Sequence, residues 1–362
     1  MKFKFIFFVI SFFPLLVTAQ KLITISGYVN DSKTGEALIN ASVYVTNDKR
    51  GTTTNSYGFY SLSVKQSDSL GLVISYQSYQ PQIFTISGKV DQIFDYSLKE
   101  TSKSLIEVIV TSSKNNNNVS KPRMSVINLS MKQIKTLPAI AGERDILKIV
   151  QLLPGVQSGQ EGTTGFYVRG GNTDQNLVQL DEATVYNPNH LFGLFSTFNT
   201  NAINSVTLIK GGYPAQYGGR LSSILDITMK EGNKKKFSGE GGIGLVSSNL
   251  TLEGPITRNK SSFIISARRT FIDLITKAVV PQNKNNTNYY FYDVNAKANF
   301  VLGKKDKLYF SFFKGLDNAK YAGVSSLNYG INFGNTTGTV RWNHLFNKKL
   351  FNNTSLIITI II

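Results

Sequence analysis

Residues 292–300 read YDVNAKANF, and polar and apolar side chains alternate along them without a break. One face carries Tyr292, Val294, Ala296, Ala298 and Phe300, and the other carries Asp293, Asn295, Lys297 and Asn299. Alternation with a period of two indicates a β-strand that has one apolar face and one polar face. Beyond a short turn at 303–306 the pattern returns, because Leu308, Phe310 and Phe312 share a face. The two segments together predict an antiparallel hairpin.

The same pattern extends over residues 231–362. Further strands are expected at 237–247, 250–255, 262–268, 338–346 and from 350 onward, about seven in all. Strands of about ten residues with alternating short turns and longer loops are typical of an outer-membrane β-barrel. The alternative is a soluble β-sandwich, which would need few aromatic side chains on its apolar face. Lipid does not tolerate open sheet edges, and residues 356–362 lose the alternation, so we expect an incomplete barrel from a truncated or frame-shifted chain or a fragment.

Residues 1–19, MKFKFIFFVISFFPLLVTA, have the features of a secretory signal peptide. Lys2 and Lys4 precede a short apolar run, and Val17-Thr18-Ala19 places small or short side chains at the expected cleavage site before Gln20. The alternative is a membrane anchor, but the apolar run is short for a spanning helix. We therefore expect export from the cytoplasm.

Residues 20–99 predict a small antiparallel β-sandwich, because short alternating strands are separated by Gly, Asn and Asp turns. Residues 100–122 form a polar linker that contains the run Lys114 to Asn118. Ahead of that run stand Ile106, Glu107, Val108, Ile109, Val110 and Thr111. From pattern alone this segment is either the last strand of the sandwich or an exposed strand that adds to the sheet edge of a partner.

Residues 123–230 predict a compact α+β unit. A helix is expected to open at 142–145 and to end at Pro154-Gly155, with Ile146, Ile149 and Val150 on one face. The strands that follow end in glycine turns, which contain Gly170, Gly171, Gly211, Gly212, Gly218 and Gly219. Neither spacing of a nucleotide-binding glycine loop is present, so we interpret these glycines as tight turns and close backbone approaches.

Composition argues against several kinds of site. The chain has no cysteine and two distant histidines, His190 and His344, so thiolate metal sites, a zinc site and a Ser-His-Asp triad have little support. The formal net charge is +17, and residues 231–362 contribute 18 Lys and Arg against 7 Asp and Glu. These charges are spread over alternating strands, which indicates a solvated lumen and loops rather than a nucleic-acid surface. We expect no metal, no cofactor and no enzymatic activity.

Several long motifs carry a family resemblance. They are LPGV (153–156), YVRGG (167–171), QNLVQLD (175–181), VYNPNHLFGLFSTFN (185–199) and IKGGYPAQYGGRLSSILDI (209–227). In this order they resemble the plug domain of TonB-dependent outer-membrane receptors, especially those of Bacteroidetes. The stretch GYVNDSKTGEALINASVYV resembles the carboxypeptidase-regulatory-like domain that precedes such plugs. The implied fold is mainly β: an N-terminal β-sandwich, a small α+β plug and the N-terminal part of a transmembrane antiparallel β-barrel.

The resemblance also implies functional residues. Residues 106–111 match the box that the TonB–ExbB–ExbD complex engages, and Arg169 and Arg220 would pair either with acidic residues of the barrel wall or within the plug. The expected ligand-side plug loop contains Asp181, Glu182, Tyr186, Asn187, His190 and Phe192. Glu182 departs from the family, which usually has glycine after the aspartate. The expected ligand is a scarce nutrient such as a glycan or a siderophore.

The implied function is nutrient uptake across the outer membrane, with the sandwich in the periplasm. Outer-membrane lipid and a surface lipoprotein are further expected partners. The alternative is a truncated binding or signalling module of the cell envelope that transports nothing.

Overall fold

The computed structural model describes residues 21–46, 50–101, 126–131, 134, 144–159, 164–190, 193–279, 288–322 and 328–362. The expected signal peptide, the segment 106–111 and Phe192 lie outside these ranges. The described chain is mainly β, as the sequence predicted. In the described ranges, no helix is long and apolar enough to cross a membrane.

The N-terminal strands form a β-sandwich. Its strands are β1 Leu22–Asp31, β2 Ser42–Val45, β3 Gly51–Thr53, β4 Phe59–Lys65, β5 Ser69–Ser75, β6 Gln82–Ser87, β7 Gln92–Ile93 and β8 Tyr96–Leu98. One sheet has the order β4-β1-β7, with β8 also on β1, and the other has the order β3-β2-β5-β6. Ile25, Val43, Leu72 and Ile74 meet in the core, which confirms the predicted alternation. The short strands β7 and β8 were not predicted.

The middle of the chain forms a mixed sheet with small additions. Its elements are β9 Val126–Ser130, α1 Ile146–Gln151, β10 Val156–Ser158, β11 Phe166–Val168, β12 Asn176–Leu180, β13 Ala183–Thr184, β14 Asn189–His190, β15 Phe195–Ser196, β16 Ile203–Ile209 and β17 Ser223–Met229. The main sheet has the order β13-β12-β17-β16-β9, and β12 and β17 run parallel. The Asp145 side chain caps α1 by accepting hydrogen bonds from the backbone N–H groups of Leu147 (2.8 Å) and Lys148 (3.2 Å).

The C-terminal region is one antiparallel sheet of seven strands in chain order. The strands are β18 Ser238–Ile243, β19 Ser247–Thr257, β20 Ser261–Thr270, β21 Asn288–Val301, β22 Asp306–Ala322, β23 Asn328–Leu345 and β24 Phe351–Ile361, and helix α2 is Ile272–Val279. Three short turns, at 258–260, 302–305 and 346–350, lie at one end of the sheet. At the other end lie the three-residue turn 244–246 and helix α2, which belongs to the 17-residue connection between β20 and β21. A long connection opposite the three short turns agrees with the loop pattern of a membrane barrel.

Two strand boundaries differ from the predicted ones. The first hairpin turns at 244–246 rather than near 248, and β23 begins at Asn328, ten residues before the predicted start. Residues 328–337 are rich in Asn, Gly and Thr but contain the alternating set Tyr329, Ile331 and Phe333, which the prediction left out, and they pair with the second half of β22.

The polar face of the seven-stranded sheet is buried, which corrects one expectation. Asp293, Asn295, Lys297 and Asn299 are each at most 4% exposed, although the sequence suggested a solvated lumen. The physical reason is that the middle domain lies against this inner face and takes the place of water. The outer face carries the apolar side chains and is exposed.

The β-sandwich contacts the sheet at the end that carries the short turns. Lys348 Nζ donates to the carbonyl oxygen of Asp91 at 2.5 Å, and Phe351 stacks on Phe59 with ring centroids 5.0 Å apart. Glu36 Oε1 accepts hydrogen bonds from the backbone N–H groups of Glu231 (2.8 Å) and Gly232 (3.1 Å). The sandwich, the middle domain and the sheet therefore meet at one end of the molecule.

Candidate functional site: the interface between the middle domain and the sheet

Polar side chains dominate the contact between the middle domain and the inner face of the sheet. Two groups stand out. The His190 cluster contains His190, Arg268, Phe291, Asp293 and Asp317, and the Asp181 cluster contains Asp181, Glu182, Lys297, Ser311 and Arg341. Along β22, Ser311 lies five residues from the short turn and Asp317 eleven. The clusters are therefore about 20 Å apart along that strand.

His190 is fully buried and bridges two aspartates of the sheet. Its Nδ1 lies 2.5 Å from Asp317 Oδ2, and its Nε2 lies 2.6 Å from Asp293 Oδ1. Burial alone would lower the pKa of the imidazole, but the charges of Asp293 and Asp317 outweigh it, so the pKa is raised. The protonated ring can donate to both carboxylates at once.

The rest of the His190 cluster balances and shapes this site. Arg268 donates from Nε and Nη2 to Asp293 Oδ2 at 2.8 and 2.5 Å, so two cations face two carboxylates. The imidazole stacks on Phe291 at 4.1 Å with an angle of 8° between the planes. A Cβ at Gly315 would lie 2.9 Å from Phe313 Cζ and 3.0 Å from Asp293 Oδ1, so the absence of a side chain there leaves room for these two groups beside the histidine.

The His190 cluster is linked to helix α1. Arg268 Nη2 donates to the carbonyl oxygen of Ser196 at 2.6 Å, and the N–H of Ser196 donates to Asp145 Oδ2 at 2.5 Å. Asp145 also caps α1 through its other oxygen. Asp145 therefore joins helix α1 to Ser196 of β15, and Ser196 in turn contacts Arg268 of the seven-stranded sheet.

The Asp181 cluster begins with an unusual turn. Asp181 and Glu182 join β12 to β13 and have φ of 48° and 72°. A two-residue hairpin turn with both φ values positive is of type I′, which favours Asn, Asp and Gly. The chain thus keeps the backbone conformation of glycine at position 182 while presenting a glutamate side chain there.

Asp181 is held by the sheet and by its own domain. Its Oδ2 lies 2.8 Å from Lys297 Nζ and accepts from Ser311 Oγ at 2.7 Å, and its Oδ1 accepts from the N–H of Met229 at 2.9 Å. Burial alone would raise the pKa of this carboxyl, but Lys297 and Arg341 outweigh it and lower the pKa. Arg341 also donates from Nη2 to the carbonyl oxygen of Asp181 at 2.8 Å.

Glu182 connects all three parts of the molecule. Its Oε1 accepts from Tyr57 of the sandwich at 2.8 Å and from Asn353 of β24 at 3.0 Å, and its Oε2 lies 3.3 Å from Arg341 Nε. The sequence placed Asp181 and Glu182 on the ligand side. In the structure the β12–β13 turn faces the sandwich, so both residues lie nearer the end with the short turns.

The other residues of the expected ligand-side loop lie farther from that end. The backbone N–H groups of Tyr186 and Asn187 both donate to Asn335 Oδ1 at 3.1 Å, and Tyr186 is 53% exposed. His190 lies beside them but is buried in its cluster. The backbone of Tyr186 and Asn187 therefore lies beside Asn335, which pairs with Gly315 near the middle of β22.

The six glycines of the expected turns differ in backbone conformation and in the space around them. Positive φ values occur at Gly170, Gly211, Gly212 and Gly219, and a Cβ at Gly171 would lie 2.5 Å from Ser222 Cβ. At Gly218, a Cβ would have no atom within 4 Å.

Arg169 and Arg220 are exposed, and Arg220 Nη1 donates to the neighbouring carbonyl of Gly219 at 3.3 Å. In the Asp181 cluster the seven-stranded sheet supplies the basic residues Lys297 and Arg341, and the middle domain supplies the acidic residues. Sequence reasoning did not predict a role for these two sheet residues. The feature that could have identified them is a charged side chain on the polar face of an alternating strand.

A polar cavity of about 540 Å³ adjoins the Asp181 cluster, between the sandwich, the middle domain and the sheet. Tyr57, Asp226 and Lys297 are among its lining residues. Burial, opposed by the hydrogen bond from Tyr217 and reinforced by the charges of Asp181 and Glu182, raises the pKa of Asp226 to about 6. In the part of the chain that the structure describes, no group of three His, Asp or Glu is placed to hold a metal ion.

Comparison with known proteins agrees with this arrangement. Residues 25–110 match the CarboxypepD_reg-like domain, and residues 118–223 match the TonB-dependent Receptor Plug Domain. The TonB-dependent receptor SusC of Bacteroides thetaiotaomicron is 28% identical over 223 residues, which are 58% of this chain and 21% of SusC. The chain thus spans about a fifth of the length of that relative.

Among solved structures, the siderophore receptor PirA from Acinetobacter baumannii is 13% identical, with a TM-score of 0.46 over 67% of this chain and 40% of PirA. A mutant of the ferric enterobactin receptor PfeA from Pseudomonas aeruginosa is 14% identical, with a TM-score of 0.45 over 67% of this chain and 41% of PfeA. Residues 25–110 are thus similar to the CarboxypepD_reg-like domain, residues 118–223 are similar to the TonB-dependent Receptor Plug Domain, and the matching stretch of the chain is similar to SusC.

Proposed function

We propose that this chain is the front part of an outer-membrane receptor that imports a scarce nutrient, with residues 106–111 as the segment that TonB engages. TonB would add a strand to this segment, and force from the energising complex would move the plug away from the wall. A glycan or a siderophore fits the family, and a surface lipoprotein is a further proposed partner.

The observation that carries this proposal is how the plug is held. Buried ion pairs and hydrogen bonds join it to the wall in the His190 and Asp181 clusters. A buried ion pair is specific in geometry but adds little net stability, because desolvation offsets much of the attraction. A plug held this way is well positioned, and water entering the interface can solvate the separated charges. Such an interface suits a domain that must move and then return.

The position of the sandwich supports an orientation with the N-terminal domain in the periplasm. Outer-membrane barrels have their short turns on the periplasmic side. The sandwich contacts that end through Asp91 and Lys348, so a segment that follows the sandwich would start in the compartment where TonB acts. The ligand would approach from the opposite end, where Tyr186 is exposed.

A single introduced cysteine tests the proposed plug movement, since the chain has none of its own. Ser266 on β20 is 0% exposed and accepts a hydrogen bond from plug residue Asn199 at 2.8 Å. In cells that make the full-length protein, Ser266→Cys should react with a maleimide when TonB is present. It should stay unreactive when TonB is deleted or when Val108→Pro disrupts the proposed strand.

Two comparisons make this experiment decisive. Lys349→Cys, on an exposed turn, should react in every strain and reports expression and access of the reagent. Equal labelling of Ser266→Cys with and without TonB would contradict energised plug movement and would favour a binding module that does not transport.

A further inference from the structure

The outer face of the seven-stranded sheet carries an apolar groove of about 530 Å³. Ala296 and Ala298 on β21 form its floor. Cross-strand neighbours on both sides are larger: Ile265 and Phe312 flank Ala296, and Phe263 and Phe310 flank Ala298. Gly338 is a second position without a large side chain between larger neighbours, since it pairs with Phe312 on one side and Ile358 on the other. The residues that line the groove lie on six neighbouring strands, from Ile256 on β19 to Ile358 on β24, so the groove crosses the strands over these small side chains.

The groove lies about one leaflet's depth from the β21–β22 turn. From Ala298 to Lys304 in the β21–β22 turn is six residues, about 20 Å along the strand. At the usual strand tilt of about 40°, this is about 15 Å along the membrane normal. Half of a hydrocarbon core of about 30 Å has the same thickness. A chain lying on Ala296 and Ala298 would therefore extend from the headgroup level toward the middle of the membrane.

Cations surround the end of the groove at the short turns. Arg258 and Lys260 belong to the β19–β20 turn, and Lys304 and Lys305 belong to the β21–β22 turn; all four are exposed. Ile256, which lines the groove, precedes Arg258 by two residues. The two turns are separated by two strand spacings, about 10 Å. A phosphate between them would lie within reach of long basic side chains from both.

The residues around the β21–β22 turn are consistent with a lipid headgroup at the height of that turn. Asp306 is the acidic residue of the β21–β22 turn, and it already accepts hydrogen bonds from Trp342 Nε1 at 2.9 Å and His344 at 2.7 Å. Trp342 is 42% exposed on the outer face, two residues along β23 from His344. Indole rings favour the level where lipid headgroups meet the hydrocarbon.

We propose that this groove and the four cations form a binding site for one anionic phospholipid of the periplasmic leaflet. The acyl chain lies over Ala296 and Ala298, and the phosphate lies between the β19–β20 and β21–β22 turns. Charge complementarity selects an anionic headgroup, and the position at the short turns selects the leaflet. The inference depends on the proposed membrane placement but not on transport.

Native mass spectrometry of the full-length protein, released from vesicles into mild detergent, tests this site with two probes. Dioleoylphosphatidylglycerol should bind more tightly than dioleoylphosphatidylcholine. Each basic residue near an anionic lipid contributes about a fivefold effect, so Lys304→Gln/Lys305→Gln should weaken phosphatidylglycerol binding about 25-fold. The matched control Lys314→Gln/Lys320→Gln removes two outward lysines of the same strand at the other end and should change binding less than about twofold.

A second variant tests the groove itself. Ala298→Leu fills the floor and should weaken binding of both lipids about tenfold, through the loss of buried methylene contacts. Val294→Leu, on the same face but outside the groove, should leave the binding of both lipids unchanged. Equal affinity for the two lipids, or equal loss in the lysine control, would overturn the proposed site. Failure of the wild-type protein to insert into phosphatidylcholine vesicles would instead overturn the membrane placement and the lipid site together.

Discussion

Replacing His190 should loosen the plug from the wall more than any surface change of similar size. His190→Leu removes a buried cation that contacts Asp293 and Asp317 at 2.6 and 2.5 Å, and it leaves Arg268 as the remaining cation of the cluster. Removing one partner from a buried ionic group costs about 3–5 kcal/mol, because the other charge stays buried without compensation. The free energy for opening the plug–wall contact should fall by about this amount.

Hydrogen–deuterium exchange measures this opening directly. Amides of the pairs β12–β13 and β14–β15 should exchange about 150-fold faster or more in His190→Leu, since 1.4 kcal/mol corresponds to a factor of ten. His344→Leu is the matched control. His344 also contacts an aspartate, Asp306 at 2.7 Å, but the pair lies at the rim with side chains 20% and 33% exposed, so solvent screens it and its loss should change exchange much less. Exchange that is unchanged within about fivefold in His190→Leu would refute the reasoning.

The same contact should depend on pH in a defined direction. The folded-state pKa of His190 is raised above the usual value of about 6.5, so its stabilisation is complete below that pH and is lost as pH rises through the raised pKa. Protection of β14–β15 amides, corrected for intrinsic exchange, should therefore fall as the pH is raised above about 6.5. His190→Gln should remove this dependence; a persistent pH dependence in that variant would assign it to another group.

Three further changes test other parts of the interface. Asp226→Asn should stabilise the protein at pH 7 by about 1–2 kcal/mol and have little effect below pH 4, because the raised pKa, about 6, shows that the buried charge is unfavourable; urea denaturation at both pH values measures this. Glu182→Gly should be about 1–2 kcal/mol more stable than Glu182→Ala, which keeps the positive φ without the side-chain contacts; thermal melting compares the two. Gly232→Ala should reduce folding, because its Cβ would lie 2.2 Å from the Phe263 carbonyl oxygen at a φ of +86°, whereas Gly218→Ala should be neutral; the heat-modifiable fraction on gels reports this.

Much of the fold could be predicted because it depends on local patterns. Alternation over residues 292–300 assigned each side chain to a face, and the structure confirms every assignment, with Lys297 and Asn299 inward and Ala296 and Ala298 outward. Helix α1 was expected from its apolar spacing and from acids at its start. The glycine turns were expected because positive φ values favour residues without a side chain.

The elements that sequence reasoning missed lack such a local signal. β7 and β8 are two and three residues long and exist through their pairing with β1. The first half of β23 has only three alternating apolar residues, Tyr329, Ile331 and Phe333, among Asn, Gly and Thr, and it pairs with the second half of β22.

The candidate site divides in the same way. The sequence by itself determined which residues of the wall face inward, because a period of two follows from the geometry of an extended chain. Only the tertiary structure decided what those residues do. Lys297 and Arg341 pair with acidic residues more than 100 positions away in the sequence, and Asp293 pairs with Arg268, 25 positions away. No periodicity in the sequence encodes such pairings. Glu182 shows the limit most clearly: its departure from glycine was visible in the chain, but its contacts with Tyr57, Asn353 and Arg341 arise where three separately folded segments meet.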